Sequence, residues 1–394
     1  MKTTTAQVIA DGQKYVMNTY GRLPIVIDKG EGCYVWDLDG NKYLDLVAGI
    51  AVNSLGHGHP AVVQAIKEQS KQLLHCSNLY WIENQVNLAK LLVEKSGLGK
   101  AFFCNSGAEA NEAAIKLARK WGKGEKYHFV VMQKSFHGRT LGSLAATAQE
   151  KYQKPFMPLP EGFTAVPLGD LEALEAAIRP ETCAVMLEPI QGESGINVPS
   201  VEYMQGVRAL CDKYGILMIL DEVQAGLGRT GKPFAFQNFG IVPDIISLAK
   251  AIANGVPMGA IVAKNEVADC FQPGDHASTF GGTPIATAAG LAACNILLDD
   301  AFLANVQETG EYFRAELRAI GERHPGLIKE VRGLGLMIGC ELTGSSKEAA
   351  AELLKRGVLV NSIGEHVLRF VPPLTITKAE IDSFMPILED VLTK

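Results

Sequence analysis

Six short apolar runs stand out along the middle of the chain: Ala101–Cys104, Phe129–Met132, Cys183–Glu188, Ile216–Leu220, Ile245–Leu248 and Gly259–Ala263. They show no alternation of polar and apolar positions, so each predicts a strand covered on both faces. Between some of them the apolar positions fall at helical spacing, notably over Glu109–Trp121 and Val201–Tyr214. Doubly apolar strands separated by helices predict a parallel sheet with helices on both sides. Such sheets bind ligands at the carboxyl ends of their strands.

The two ends of the chain are patterned differently. Near the start, Tyr34-Val35-Trp36-Asp37 and the dipeptide Asp39-Gly40 predict a hairpin with a tight turn. From Val331 onward, short strands are expected at Gly335–Leu342, Val358–Val360 and Val367–Phe370. A last helix opens on the capping pattern Thr377-Lys378-Ala379-Glu380, and Pro386 inside it predicts a kink or a break. The expected organisation is a large α/β domain over 56–285 and a smaller α+β domain built from 1–55 and 286–394.

Composition narrows the class. A chain of 394 residues with 47% hydrophobic and 20% charged residues fits a well-packed two-domain protein. The net charge of −6 lacks the basic stripe that a nucleic-acid surface needs. No run reaches about 18 apolar residues, so no membrane span is predicted, and no secretory h-region follows Met1. The eight cysteines are scattered and form no C-x-x-C pair, which fits a reducing compartment and a cytoplasmic location.

The chemistry sits where strands are expected to end. Asn105-Ser106-Gly107-Ala108-Glu109 follows a strand and opens a helix with capping-box spacing between Ser106 and Glu109. Free N–H groups and the helix dipole make such a turn an anion site, although taken alone an ordinary helix start is the commoner explanation. In Ser135-Phe136-His137-Gly138-Arg139-Thr140, Phe136 offers a stacking face and Arg139 a carboxylate grip, against the plain reading of a surface loop. Asp221 ends the apolar run Ile216–Leu220 and needs a cationic or hydrogen-bonding partner: a protonated ring nitrogen, a metal or an arginine. Lys250 ends Ile245–Ala249 in the same way. Desolvation there favours a neutral, nucleophilic amine, although a lone lysine more often snorkels. Together, an anion turn, an aromatic, a buried acid and a buried lysine match the needs of a phosphorylated pyridine aldehyde.

Two glycine patterns compete with that reading. Gly226-Leu227-Gly228-Arg229-Thr230-Gly231 fits the dinucleotide fingerprint, and Gly226 to Lys232 fits the start of a P-loop. The first needs a helix next, but Lys232-Pro233-Phe234 follows. The second needs Ser or Thr where Pro233 stands. A nucleotide-binding protein is therefore the disfavoured alternative.

These residues resemble the class III (ω-type) aminotransferases. The likeness rests on Tyr34–Asp37, Ala48–Pro60, Phe136–Thr140, Pro189–Gly195, Leu220–Gln224 and Ser278–Gly282 in this order, and covers nearly the whole chain. It is nearest to the bacterial subgroup that acts on N2-acetylornithine. The resemblance implies an α/β fold of the aspartate-aminotransferase type (fold type I), pyridoxal 5'-phosphate as cofactor, and a homodimer with shared active sites. Carried over by position, it implies Lys250 as the Schiff-base lysine and Asp221 on the ring nitrogen. Ser106, Gly107 and Ala108 would hold the phosphate, with Thr279 reaching that of the neighbouring subunit. Phe136 would stack on the ring, Gln224 would bind its phenolic oxygen, and Glu222 and Val223 would lie alongside. Substrate contacts would be Arg139 on the α-carboxylate, Ser278, Tyr20, and Glu193 as a switch acid paired with Arg369. The implied reaction moves the terminal amine of N2-acetylornithine to 2-oxoglutarate, in arginine biosynthesis. Ornithine, succinylornithine or 4-aminobutyrate are alternative donors. Thr283 and Ala253-Asn254 depart from the pattern and bear on substrate preference.

Overall fold

A seven-stranded sheet forms the centre of the computed structural model, which describes residues 4–394. Its strands are β1 (Lys100–Cys104), β2 (His128–Met132), β3 (Phe163–Val166), β4 (Thr182–Leu187), β5 (Leu217–Asp221), β6 (Ile245–Leu248) and β7 (Gly259–Ala263). They lie in the order β1-β7-β6-β5-β4-β2-β3. Neighbours from β6 to β3 are parallel, as the double-sided apolar runs predict. β7 is the exception and runs antiparallel to both β1 and β6. The link from Leu248 to Gly259 is too short for a crossover, which takes a dozen or more residues. The edge strand β3 escapes the sequence pattern because its residues are only partly covered.

Helix α1 (Gly107–Trp121) packs across β6 and β7 through Ala110, Ala113, Ala114, Leu117 and Ala118. Small side chains on that face let the helix approach the sheet closely. Ser106 caps it, its Oγ accepting from Glu109 N at 3.2 Å. The capping box is not reciprocal: Glu109 Oε2 turns instead to Asn105 N and Nδ2.

The ends of the chain meet in two smaller sheets. Ile27–Glu31, Tyr34–Asp37 and Lys42–Asp45 form an antiparallel meander, and Val358–Leu359 joins it parallel to Lys42–Asp45. The turn at Gly40 (φ 88°) is held by Asp37, which accepts from the N–H groups of Asp39 and Asn41. The second sheet pairs Ile328–Leu334, Met337–Leu342, Val367–Phe370 and Asn361–Ile363. An apolar cluster runs from Leu220 and Phe236 beside the central sheet to Phe313, Phe370 and Phe384.

One expected boundary falls inside a helix, and one expected break does not occur. A domain boundary after 285 would cut through the helix Pro284–Leu297, which packs on Pro60–Gln72, Glu83–Ser96 and the Lys250–Ala253 turn, so this helix goes with the large layer. The last helix, Lys378–Leu392, passes through Pro386 without a break, held by its buried face of Ile381, Phe384, Met385 and Leu388. Among the described residues, no single helix is long and apolar enough to cross a membrane.

Candidate active site

The carboxyl ends of β1, β2, β4, β5 and β6 converge on a cavity of 380 Å³. Asp221, the last residue of β5, is 4% exposed. Its Oδ2 accepts from Asn111 Nδ2 and from His137 Nδ1, both at 2.7 Å, and its Oδ1 from Val223 N at 3.0 Å. No lysine or arginine pairs with it among the described residues. Three donors, one of them His137, offset its burial, and the carboxylate can also take a cation from outside the chain.

Lys250 follows β6 by two residues and lines the same cavity. Its backbone sits in the left-handed region (φ 51°), which costs a non-glycine residue on the order of 1–3 kcal/mol. Strain of this kind persists where the surroundings impose it, and here it turns a side chain into the cavity. Desolvation holds the ammonium below the usual lysine range, opposed by the nearby charge of Glu193.

The N-terminus of α1 supplies the opposite wall, where Ser106, Gly107 and Ala108 line the cavity. A Cβ on Gly107 would lie 2.8 Å from Val223 Cγ1, so only glycine leaves this cradle clear. First-turn N–H groups of a helix lack partners within it and attract anions.

Phe136 and Arg139 come from the segment after β2. Phe136 N–H donates to Glu188 Oε1 at 2.9 Å. Gly138 permits the tight course (φ 141°), since a Cβ there would sit 2.4 Å from Ser143 Oγ. The exposed guanidinium of Arg139 stacks 4.0 Å above the Tyr152 ring and 5.5 Å from the Phe136 ring. No carboxylate pairs with it among the described residues.

Glu193 and Arg369 meet across the far side. Arg369 Nη1 donates to Glu193 Oε1 at 2.6 Å and to Gly192 O at 3.1 Å, while Gln224 Nε2 donates to the same Glu193 oxygen at 3.0 Å. Burial alone would raise the Glu193 carboxyl, but Arg369 and Lys250 outweigh it and hold it below the usual range.

Five expected residues lie outside the cavity lining of this chain, Arg369 behind Glu193 and four others. Glu222 points away from Asp221, as neighbouring strand side chains do. Its carboxylate accepts from the N–H groups of Ala235 and Phe236, both at 2.7 Å, and burial pushes it up to about 7. Glu222 is a structural acid, and the expectation that it touches the cofactor is corrected. Ser278 Oγ sits near the mouth, bonded to Asn105 Nδ2 and Gly281 N. Thr279 faces outward. Tyr20 is 70% exposed, beside Arg22, and does not line the cavity.

Three residues were missed. Asn111 interrupts the alanine face of α1 and holds both Asp221 and His137 O. His137 was visible in its motif but without a role. Glu188 follows the apolar strand β4 as Asp221 ends β5, so the same signal was there to be used.

The two departures from the pattern also have places. Asn254 Oδ1 accepts from Leu55 N and its Nδ2 donates to Gly56 O. This ties the Lys250–Ala253 turn to the segment after the wall residue Val52, which follows a run of left-handed residues, Ala48 to Ala51. Thr283 Oγ1 donates to Leu74 O at 2.9 Å.

The glycine run 226–231 offers no phosphate cradle. Its N–H groups close on Glu222 O, Gly226 O, Gly228 O and Pro233 O. The run encloses the fully buried Arg229, whose guanidinium donates to Leu336 O, Pro372 O and Ser54 Oγ. The nucleotide reading fails on this geometry.

An α/β sheet with a lysine, a buried acid free of lysine and arginine, and a helix N-terminus around one cavity suits a phosphorylated, protonated ring. The chain matches Aminotransferase class-III over residues 15–392 and belongs to that family, whose cofactor is pyridoxal phosphate. It is 55% identical to an acetylornithine aminotransferase of Caldanaerobacter subterraneus subsp. tengcongensis, over 97% of this chain and 98% of that one. It is 50% identical to one of Methanocaldococcus jannaschii over 97% of each chain. The ornithine aminotransferase of Toxoplasma gondii ME49 superimposes with a TM-score of 0.95 at 33% identity, covering 100% of this chain and 96% of that one.

Proposed function

We propose that this chain transfers the terminal amino group of N2-acetylornithine to 2-oxoglutarate. The observation that carries this reading is the contrast between two arginines, Arg139 on the cavity wall and Arg369 buried behind the wall residue Glu193. Arg139 is free, whereas Arg369 is neutralised by Glu193. A donor with one carboxylate and an uncharged acetylated end needs only Arg139. A dicarboxylate acceptor needs a second cation, which Arg369 offers once Glu193 moves aside.

The residues present fit pyridoxal phosphate. Asp221 would face the ring nitrogen and keep it protonated, held by Asn111 and His137. Phe136 would cover the ring, and Gln224 would reach its phenolic oxygen. The N–H groups of Gly107 and Ala108 would take the phosphate. The bound cofactor supplies an electron sink for the charge that develops at the amine-bearing carbon. Lys250 Nζ is the attachment atom and the base that takes and returns the substrate proton, as its depressed ammonium allows.

A second copy of the chain would complete the site. Leu79, Tyr80, Trp81 and Phe280 are 85%, 69%, 93% and 61% exposed, which is unusual for large apolar side chains on a free surface. Thr279 sits beside Phe280 and would reach the partner's phosphate. The eight free cysteines support a cytoplasmic location.

Initial rates with N2-acetylornithine, N2-succinylornithine, ornithine and 4-aminobutyrate test the donor. The highest kcat/KM is expected for acetylornithine. A purified protein that stays colourless after reconstitution and transfers no amine would overturn the whole reading. The superposition on an ornithine aminotransferase makes ornithine the second candidate.

A further inference from the structure

Glu188 lines the cavity, is 6% exposed, and has no part in the roles assigned above. Its two oxygens are spent on two different walls. Oε1 accepts from Phe136 N at 2.9 Å, and Oε2 accepts from Gly192 N at 3.1 Å. Phe136 belongs to the ring-covering segment after β2. Gly192 precedes Glu193 and also offers its carbonyl to Arg369. One buried carboxylate thus ties the aromatic wall to the backbone of the Glu193–Arg369 pair.

We propose that Glu188 is a positioning residue that fixes the distance between the ring-covering wall and the Glu193 gate, so that Glu193 leaves Arg369 by side-chain rotation while Gly192 stays in place. The inference rests on the gate reading above. It follows from the acceptor pattern: both N–H donors belong to backbone, and no cation contacts the carboxylate. An ion-pair role would leave these amides to other partners. A carboxylate is the only side chain of this length that accepts at both ends. In Glu188→Gln one oxygen becomes an N–H₂ group, which meets a backbone N–H and releases either Phe136 or Gly192. In Glu188→Asp the chain is one methylene short of spanning both.

Three measurements on the reconstituted Glu188→Gln and Glu188→Asp enzymes test this. The first is the visible circular dichroism of the bound cofactor, which reads how the ring is seated. The other two are the KM values for 2-oxoglutarate and for the amino donor. The expected result is a weakened dichroic band and an acceptor KM raised about five- to tenfold, with the donor KM moved less than about twofold. Donor and acceptor KM rising together, or neither moving, overturns the proposal. Glu193→Gln, measured alongside, separates the two readings. An acceptor KM unchanged in Glu193→Gln overturns the gate, and with it the positioning role proposed for Glu188. An acceptor KM lowered in Glu193→Gln but unmoved in both Glu188 variants supports the gate and overturns the clamp. If either Glu188 variant does not fold, the other gives the same comparison. If neither folds, the carboxylate is a folding element and the proposal falls.

Discussion

Arg369 Nη1 stands 2.6 Å from Glu193 Oε1 inside the molecule, and the arginine side chain is only 3% exposed. Removing one partner of a buried pair leaves the other charge uncompensated, at a cost of roughly 3–5 kcal/mol. Glu193→Gln should therefore lower the melting temperature of the substrate-free protein. Glutarate, an unreactive dicarboxylate, should restore more stability to this variant than to the wild type, because it supplies the missing anion. Calorimetry with and without glutarate measures both. Equal shifts in the two proteins would mean that Arg369 is not a carboxylate site.

Arg139 is held by ring faces and by no anion. A hydrogen bond to a charged group contributes roughly 1.5–3 kcal/mol. Arg139→Ala should raise KM for acetylornithine about 10- to 150-fold, while 1,4-diaminobutane, which has no carboxylate, is barely affected. Steady-state kinetics with both donors decides it, and equal effects would contradict the assigned grip.

Asp221 is the cavity acid held by Asn111 and His137 with no lysine or arginine on it. Asp221→Asn keeps the shape and removes the charge, so the transfer rate should fall about 10²–10³-fold, the usual range for loss of one preorganised electrostatic group. Single-turnover rates with saturating donor read this directly. A loss below about tenfold would place the decisive charge elsewhere.

Glu222 gives a pH signature independent of activity. Its carboxyl is raised from the ordinary 4.5 to about 7, chiefly by burial. A raised acid binds its proton more tightly in the folded state, so its stabilising contribution is full below about 4.5 and is lost as pH rises through 7. Glu222→Gln does not titrate. The stability advantage of wild type over this variant should shrink between pH 5 and 7, by up to about 1.4 kcal/mol per pH unit. Urea unfolding at several pH values measures it, and a constant difference would show that Glu222 is ionised throughout.

Much of the site was readable because the chain writes it at strand ends. Lys250 and Asp221 each close an apolar run, and Gly107 opens a helix after another. What was not readable depends on geometry that spacing does not carry. Asp221 and Glu222 are adjacent, and only the pleat decides which faces the cavity. Glu193 and Arg369 are 176 positions apart and their pairing followed from a resemblance, not from pattern. The direction of β7 is set by the length of the link before it, and β3 is hidden by its exposed edge. Ser278, Thr279 and Tyr20 lie outside this chain's own cavity, where a single sequence cannot place them.

The short pairing of Val358–Leu359 with Lys42–Asp45 has a consequence for how the molecule is made. The first strands emerge early from the ribosome, but their sheet lacks its fourth member until position 358 has been synthesised. During that interval Lys42–Asp45 presents an open edge, the kind of surface that invites wrong partners. Chains truncated before 358 should therefore aggregate through their N-terminal meander, even though the central sheet is already complete by Ala263.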